Sequence, residues 1–353
     1  MSRQVNTDCE GPISKNDNAM ELSEFFIPSG QHFFSIVSKY DDYLADIEKR
    51  RGYQAGDTLK LVLPFFKAFG ATDEAIRRFS QEHLLLLPGA REMLHDILER
   101  MDVFILSTSY APYIEALCRA VDFPEDRTYS TQVRLEDYDL SEKERKTLIR
   151  LAEEMTAMEV IEWPDGAQRL EDLADRDRKS IQRLDQIFWQ EIDEMAVGKI
   201  LSGVKPVGGK EKARAVLQSL ERTGNHLEDV LYAGDSITDV EAFELVRKGG
   251  GMTLSFNGNR YALRSAELAC LSSHAFILAV VADIFRTKGG EGLLNAAEQE
   301  RPDWLISCGA DPALYSEEIP KLQRVTEENR PTLIQESETF RKQVRGVRIG
   351  TLG

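Results

Sequence analysis

Along this chain, short continuous apolar runs alternate with longer stretches in which apolar residues recur every three or four positions. Val103 to Leu106 (VFIL) and Val230 to Ala233 are short and apolar, the pattern of strands buried on both faces of a parallel sheet. Met252 to Phe256 predicts a further strand, and Val5 to Asp8 a short one running into a Gly11-Pro12 turn. Between these runs the spacing is helical. Leu59, Leu61, Val62, Phe65 and Phe66 fall on one periodic stripe within a helical stretch from Ala19 to His83. Asp57-Thr58 and Thr72-Asp73 stand where N-caps belong. Leu84 to Leu87, with Pro88-Gly89, opens a helix through Leu94 and Leu98, and Tyr110 to Val121 predicts the next. Two more are predicted over Lys210 to Leu220 and Asp239 to Val246.

Strands alternating with helices in this way predict an α/β fold on a doubly wound parallel sheet. Its core is assembled from residues 1–13, 86–136 and 204–289, because two helical segments interrupt it. Residues 14–85 form the first, a helical cap. Residues 137–203 form a second helical insertion, densely charged from Ser141 to Val197 and broken at Trp163-Pro164-Asp165-Gly166. Residues 290–353 read as a C-terminal helical extension, either packed on the core or standing off as an arm.

Composition narrows the function classes. Of 353 residues, 42% are apolar and 29% charged, the balance of a packed globular chain. A formal charge of −16 argues against nucleic-acid binding, because the phosphate backbone would be repelled. The longest apolar stretch, Ala275 to Ile284, is interrupted by Asp283 and is too short to span a bilayer. Met1 to Asn6 is polar and lacks the apolar run of a signal peptide, so a cytoplasmic location is expected. Cys9, Cys118, Cys270 and Cys308 have no ligand spacing and read as reduced thiols. The charged helices of residues 141–197 read as solvated faces or as a surface for homo-oligomers.

Four short pieces, each beside a predicted strand or helix start, carry possible chemistry. In Asp8-Cys9-Glu10-Gly11-Pro12 two carboxylates stand two residues apart, able to share one side of an extended segment. An ionised Asp is a known phosphoryl acceptor, and a protonated neighbour could serve a leaving oxygen and then act as base. The alternative is a solvated turn before Gly-Pro. Ser107-Thr108-Ser109 follows the VFIL strand, where hydroxyls and backbone N–H groups could bind phosphoryl oxygens or simply cap a helix. Gly208-Gly209-Lys210-Glu211-Lys212 brings lysines to a helix start, where one could neutralise developing charge. Gly234-Asp235-Ser236-Ile237-Thr238-Asp239 places two carboxylates at a helix head, hard oxygen donors of the kind that suit Mg²⁺.

The order Asp-x-acid, Ser after a strand, Lys before a helix and then Gly-Asp-x-x-x-Asp resembles the motif set of the haloacid dehalogenase superfamily. The resemblance covers residues 5–12, 86–135 and 205–285, and the run AGDSITD is its most specific part. DCEGPI, LLPGA and ILSTSY resemble the phosphoserine phosphatase branch, and Asp-x-Glu its relatives that include a phosphoserine:homoserine phosphotransferase. The wider run DCEGPISKNDNA is also similar to a branch labelled energy-converting hydrogenase subunit R.

The resemblance implies Asp8 as nucleophile and Glu10 as acid/base whose carbonyl also faces the metal. It implies Ser107 as phosphoryl-oxygen donor, Lys212 or Lys210 as the catalytic lysine, and Asp235 and Asp239 as ligand or near-ligand of Mg²⁺. The metal set is then Asp8, Glu10, Asp235 and Asp239. Cys9, Thr108, Gly209 and Asn257 are the neighbours expected to meet substrate or phosphate. Three departures stand out: Glu10 where Asp is usual, a polar first strand (Arg3, Gln4, Asn6, Thr7), and Thr108 where the phosphoserine branch usually has Gly. The expected activity is Mg²⁺-dependent hydrolysis of a small phosphorylated metabolite through an aspartyl-phosphate. Transfer to an acceptor alcohol, or a non-catalytic assembly or regulatory role on the same fold, are the alternatives. Dehalogenation is disfavoured, since it would leave Asp235 and Asp239 without a task. His32, His83, His95, His226 and His274 show no ligand spacing.

Overall fold

The computed structural model describes residues 3–164, 166–299 and 319–347. Strands β1 (Gln4–Thr7), β2 (Asp102–Tyr110), β3 (Thr128–Thr131), β4 (Val230–Gly234), β5 (Met252–Phe256), β6 (Leu268–Leu271) and β7 (Lys321–Arg324) form one sheet. Their order is β3-β2-β1-β4-β5-β6-β7, parallel throughout except for β6 with β7. From β1 the chain builds outward to β2 and β3, then crosses back to β4. That reversal leaves a crevice beyond the carboxyl ends of β1 and β4, the usual place for a ligand in such a sheet. The α/β, doubly wound architecture read from the sequence is the one present.

The central strand is polar for a structural reason. Alternation sends Val5 to one face, where it joins Val103, Ile105, Leu231 and Ala233 in the apolar layer beneath helices Ala90–Arg100, Ala111–Val121 and Ile277–Ala297. Gln4 and Asn6 point to the opposite face, fully buried, toward helix Lys210–Thr223. Their amides both donate to the Ser219 hydroxyl, at 2.7 and 3.0 Å, and Thr223 Oγ1 donates to Gln4 Oε1 at 2.8 Å. Every polar arm thus has a partner, which is the condition for burying it.

The two insertions are one body rather than two. Phe33, Tyr40, Phe65 and Phe66 of residues 14–85 share an apolar cluster with Leu148, Leu151, Met155, Leu184 and Phe188 of residues 137–203. The charged face of the second insertion is largely exposed on this chain, and its apolar stripe is spent on the cap. Thr72 caps its helix through Ala75 N–H, whereas Asp57 lies in helical geometry and turns its carboxylate to Lys60. Asp41, buried in the same body, accepts from Tyr53 Oη at 2.6 Å and from Gly56 N–H at 2.9 Å.

The described residues beyond 290 pack on the core. Helix Ile277–Ala297 runs across that boundary, β7 adds an antiparallel strand to the sheet edge, and helix Arg330–Arg345 packs beside helix Arg260–Ser265. Cys9, Cys118 and Cys270 are free and buried; Cys308 lies outside the described residues. Among the described residues no helix is long and apolar enough to cross a membrane.

Two stability measurements check this packing. Ser219→Ala removes the acceptor of both amides, and the denaturant midpoint should fall by the equivalent of about 1–3 kcal/mol. An unchanged midpoint would mean that the polar face of β1 contributes nothing specific. Burial, reinforced by Asp57, raises the Asp41 carboxyl to about 8. The folded chain therefore keeps a proton that the unfolded chain releases near 3.8, and stability is lost as pH rises between those values. Asp41→Asn should gain on wild type in denaturation experiments from pH 5 to 9; a constant difference would contradict this.

Candidate active site

Asp8 leaves β1 still attached to the sheet, its N–H donating to Ala233 O at 2.8 Å. Its Oδ1 accepts from Cys9 N–H at 2.7 Å, and its Oδ2 meets Lys212 Nζ at 2.6 Å. Lys212 stands in the first turn of helix Lys210–Thr223 and is fully buried. The same ammonium reaches Asp239 Oδ1 at 2.7 Å and Thr238 Oγ1 at 3.0 Å. An ammonium loses several kcal/mol of hydration on burial, and only close acceptors offset that. Burial alone would depress Lys212, but Asp239 and Asp8 outweigh it and hold the group above its ordinary range. Lys210 is exposed. Of the two lysines left open by the sequence, the fold brings Lys212 to Asp8.

The loop after β4 supplies the other acids. Asp239 Oδ1 also accepts from Tyr232 Oη at 2.8 Å, while Oδ2 takes the N–H groups of Asp235 and Ser236 at 3.0 and 3.1 Å. Asp239 thereby fixes both the loop and the lysine. Asp235 Oδ2 accepts from Arg341 and, at 2.9 Å, from Arg345 of the C-terminal helix. Gly11 explains its place here: φ is +105°, and a Cβ would lie 2.3 Å from Asp235 Oδ2. Any side chain at position 11 would evict that carboxylate.

One carboxylate oxygen from each of Asp8, Asp235 and Asp239 lies within 4.8 Å of the others, all three residues buried. Three clustered hard oxygens fit Mg²⁺. Both guanidinium bonds fall on Asp235 Oδ2, so Oδ1 is the oxygen that residue would turn to a cation. Asp235 Oδ1 fits direct ligation; Asp8, held by one donor on each oxygen, keeps lone pairs for a cation, whereas Asp239, with at least two donors on each oxygen, fits a holding role. The Glu10 side chain lies outside this cluster. Its Oε1 accepts from Asn18 N–H at 2.8 Å, at the start of the cap.

The cavity between sheet, cap and C-terminal helix has a volume of about 100 Å³. Asp8, Glu10, Asp235, Thr108 and Ser109 face it from the core, Asp17, Asp41 and Asp42 from the cap, and Arg341 and Arg345 from the C-terminal helix. Burial, more than Lys212 can offset, raises Asp8 to about 7; burial with Asp17 nearby raises Glu10 to about 8. A Glu10 protonated at neutral pH is suited to giving a proton, and Asp8 needs further positive charge to stay ionised.

Several expected residues serve elsewhere. Ser107 is buried and accepts Ser109 N–H at 3.1 Å; Thr108 and Ser109 line the cavity instead. Thr108 donates to Val207 O at 3.1 Å, and its methyl is accommodated by Gly56 of the cap, where a Cβ would lie 2.9 Å away. The glycine expected at position 108 has its counterpart across the cavity. Gly209 N–H is spent on Thr238 O at 2.9 Å, and Gly209 does not line the cavity. Asn257 clamps Ser272 through Nδ2 to its carbonyl at 2.7 Å and Oδ1 from its N–H at 2.9 Å, so its side chain is structural. Cys9 points into the apolar layer near Ser14, and burial with Glu10 nearby raises its thiol well above the ordinary range. His32, His83 and His95 bond backbone carbonyls away from the cavity.

Arg341, Arg345, Asp17, Asp41 and Asp42 were not foreseen as site residues. The i,i+4 spacing of the two arginines was visible, but not where their helix docks.

No family model matches this chain, and no curated protein matches it. Among solved structures, the gene product AF1437 of Archaeoglobus fulgidus is similar over 100% of this chain and 99% of its own, with 26% identity and a TM-score of 0.81. A substrate-bound phosphoserine phosphatase complex is similar over 76% of this chain and 92% of its own, at 10% identity and a TM-score of 0.43. A HAD family hydrolase from Salmonella enterica subsp. enterica serovar Typhi is similar over 77% of this chain and 66% of its own, at 12% identity and a TM-score of 0.41.

Proposed function

We propose that this chain is a Mg²⁺-dependent phosphatase acting on a small phosphate monoester through an aspartyl-phosphate at Asp8. The observation that carries this reading is Lys212, fully buried and joined to both Asp8 and Asp239. A buried ammonium between two acids is costly to build and has little use as scaffolding on a sheet edge already held by its ladder. It is well placed to draw Asp8 toward its ionised form, together with a bound cation, and to meet charge on a transferring group.

Asp8 attacks phosphorus and forms the acyl phosphate bond as the ester oxygen departs. Glu10, protonated, gives its proton to that leaving oxygen and then takes one from water as water attacks the acyl phosphate. Thr108 and Ser109 offer donors at the end of β2. Asp8 and Asp235 would hold the cation, which supplies positive charge against the phosphoryl oxygens. The cap closes the site and excludes water. The similarity of DCEGPI and ILSTSY to the phosphoserine phosphatase branch supports a small aliphatic monoester. The further similarity to the branch labelled energy-converting hydrogenase subunit R adds no chemistry to this reading.

Two experiments test the proposal. Across a panel of phosphorylated metabolites with Mg²⁺, Asp8→Asn should lower phosphate release from the best substrate roughly a thousandfold or more. Equal release by both proteins, or none by either, would sink it. Lys212→Met should cost about 10²- to 10³-fold in kcat on that substrate and about 3–5 kcal/mol of folding stability. Wild-type kcat in a folded Lys212→Met protein would show that the buried cation is structural only.

A further inference from the structure

The C-terminal helix carries the only cations that line the cavity among the described residues. Arg345 is spent on fixed partners: Nε on Lys15 O at 3.1 Å, Nη1 on Asp235 Oδ2 at 2.9 Å, and Nη2 on Asn16 O. Arg341 is different. Nη1 engages Asp235 Oδ2, yet its Nε is buried without a hydrogen-bond partner. The side chain is 4% exposed. A buried guanidinium N–H left without an acceptor is costly, and Arg341 lines the cavity, so an anion entering there could take up that donor.

The rest of the lining is acidic, which favours such a cation. Asp8, Glu10, Asp17, Asp41, Asp42 and Asp235 all face the same small space, so an entering dianion meets six carboxyl groups. Lys212 lies beneath Asp8, committed to Asp8 and Asp239. The helix that presents Arg341 is itself firmly seated. Leu333 is buried beside Leu263 and Ala269, and Ser337 Oγ donates to Gly258 O at 2.6 Å.

We infer that Arg341 is a substrate-binding residue, donating from its free Nε edge to a phosphoryl oxygen, with Arg345 as the positioning residue that shares Asp235 and ties the helix to the cap entrance. The inference rests on the phosphatase reading and adds to it a phosphate contact from the C-terminal extension. Arg is suited to this task because its planar fork serves Asp235 and an oxyanion at once.

The test uses inorganic phosphate as probe, measured as product inhibitor and by calorimetry on the full chain in Mg²⁺. Arg341→Gln should weaken phosphate binding about ten- to a hundredfold and raise KM comparably, with a smaller change in kcat. Arg341→Lys keeps a charge opposite Asp235 and provides a folded variant if the first fails to fold; it should recover part of the affinity. Phosphate affinity at the wild-type level in either folded variant would overturn the inference, even if the Mg²⁺ requirement shifts, because Arg341 would then serve Asp235 alone. A wild-type chain that hydrolyses nothing and binds no phosphate would instead overturn the phosphatase reading, and this inference with it. An active wild type with unaltered variants overturns this inference only.

Discussion

The ammonium of Lys212, closed in between Asp8 and Asp239, is the interaction on which the site depends. It joins three pieces that are distant in sequence: the end of β1, the loop after β4 and the first turn of helix Lys210–Thr223. None of the three charges is tolerable alone in that position, since burial of an isolated ion costs far more than a protein's net stability. Together they form a cluster in which each group's hydration loss is offset by its neighbours. Two further consequences follow from that cluster. Asp239 must use both carboxylate oxygens, so it orients the loop that presents Asp235. Asp8 must sit at the very end of the strand, where the ladder still fixes its backbone.

Around this cluster the chain builds an unusually acidic enclosure. Cap residues Asp17, Asp41 and Asp42 close over Asp8, Glu10 and Asp235, and the C-terminal helix answers with Arg341 and Arg345. The charge pattern couples three separate parts of the chain, because Arg345 bonds both Asp235 and the backbone at Lys15 and Asn16 where the cap begins. The two strands of chain entering and leaving the cap also pair there, through Lys15 N–H to Leu85 O. The C-terminal helix is therefore part of the site's architecture and not an appendage.

Much of this was legible in the sequence, for reasons that particular residues make plain. VFIL, VLYA and MTLSF are apolar runs too short for helices, and each is a strand of the sheet. Asp8, Asp235 and Asp239 were recognisable because their chemistry depends on local spacing, and the fold places them together. β3, β6 and β7 were missed: Thr128 to Thr131 is polar, Leu268 to Leu271 is only four residues long, and β7 (Lys321–Arg324) buries Leu322 alone. β3 and β7 are the two edges of the sheet, and edge strands owe their conformation to a neighbour more than to their own pattern. Spacing before the Gly-Asp motif leaned toward Lys212 but left Lys210 open, because only the docking of the helix decides which one is buried. Gly209 and Asn257 follow the expected motif positions, yet their hydrogen bonds are taken by Thr238 and Ser272, while Ser107 Oγ accepts from Ser109 N–H away from the cavity lining. The arginines lay beyond reach, since nothing local in residues 330–345 reports on a carboxylate about a hundred positions away.

Covalent chemistry at Asp8 is the centre of this account, and it is open to direct measurement. Wild-type protein turning over its best substrate with Mg²⁺ is quenched and reduced with borohydride, which converts an acyl phosphate to an alcohol but leaves a free carboxylate unchanged. Peptide mass spectrometry should then find the reduced product at Asp8, and at no site in Asp8→Asn. Phosphate release by the wild type with Asp8 never modified, or undiminished turnover by Asp8→Asn, would contradict it.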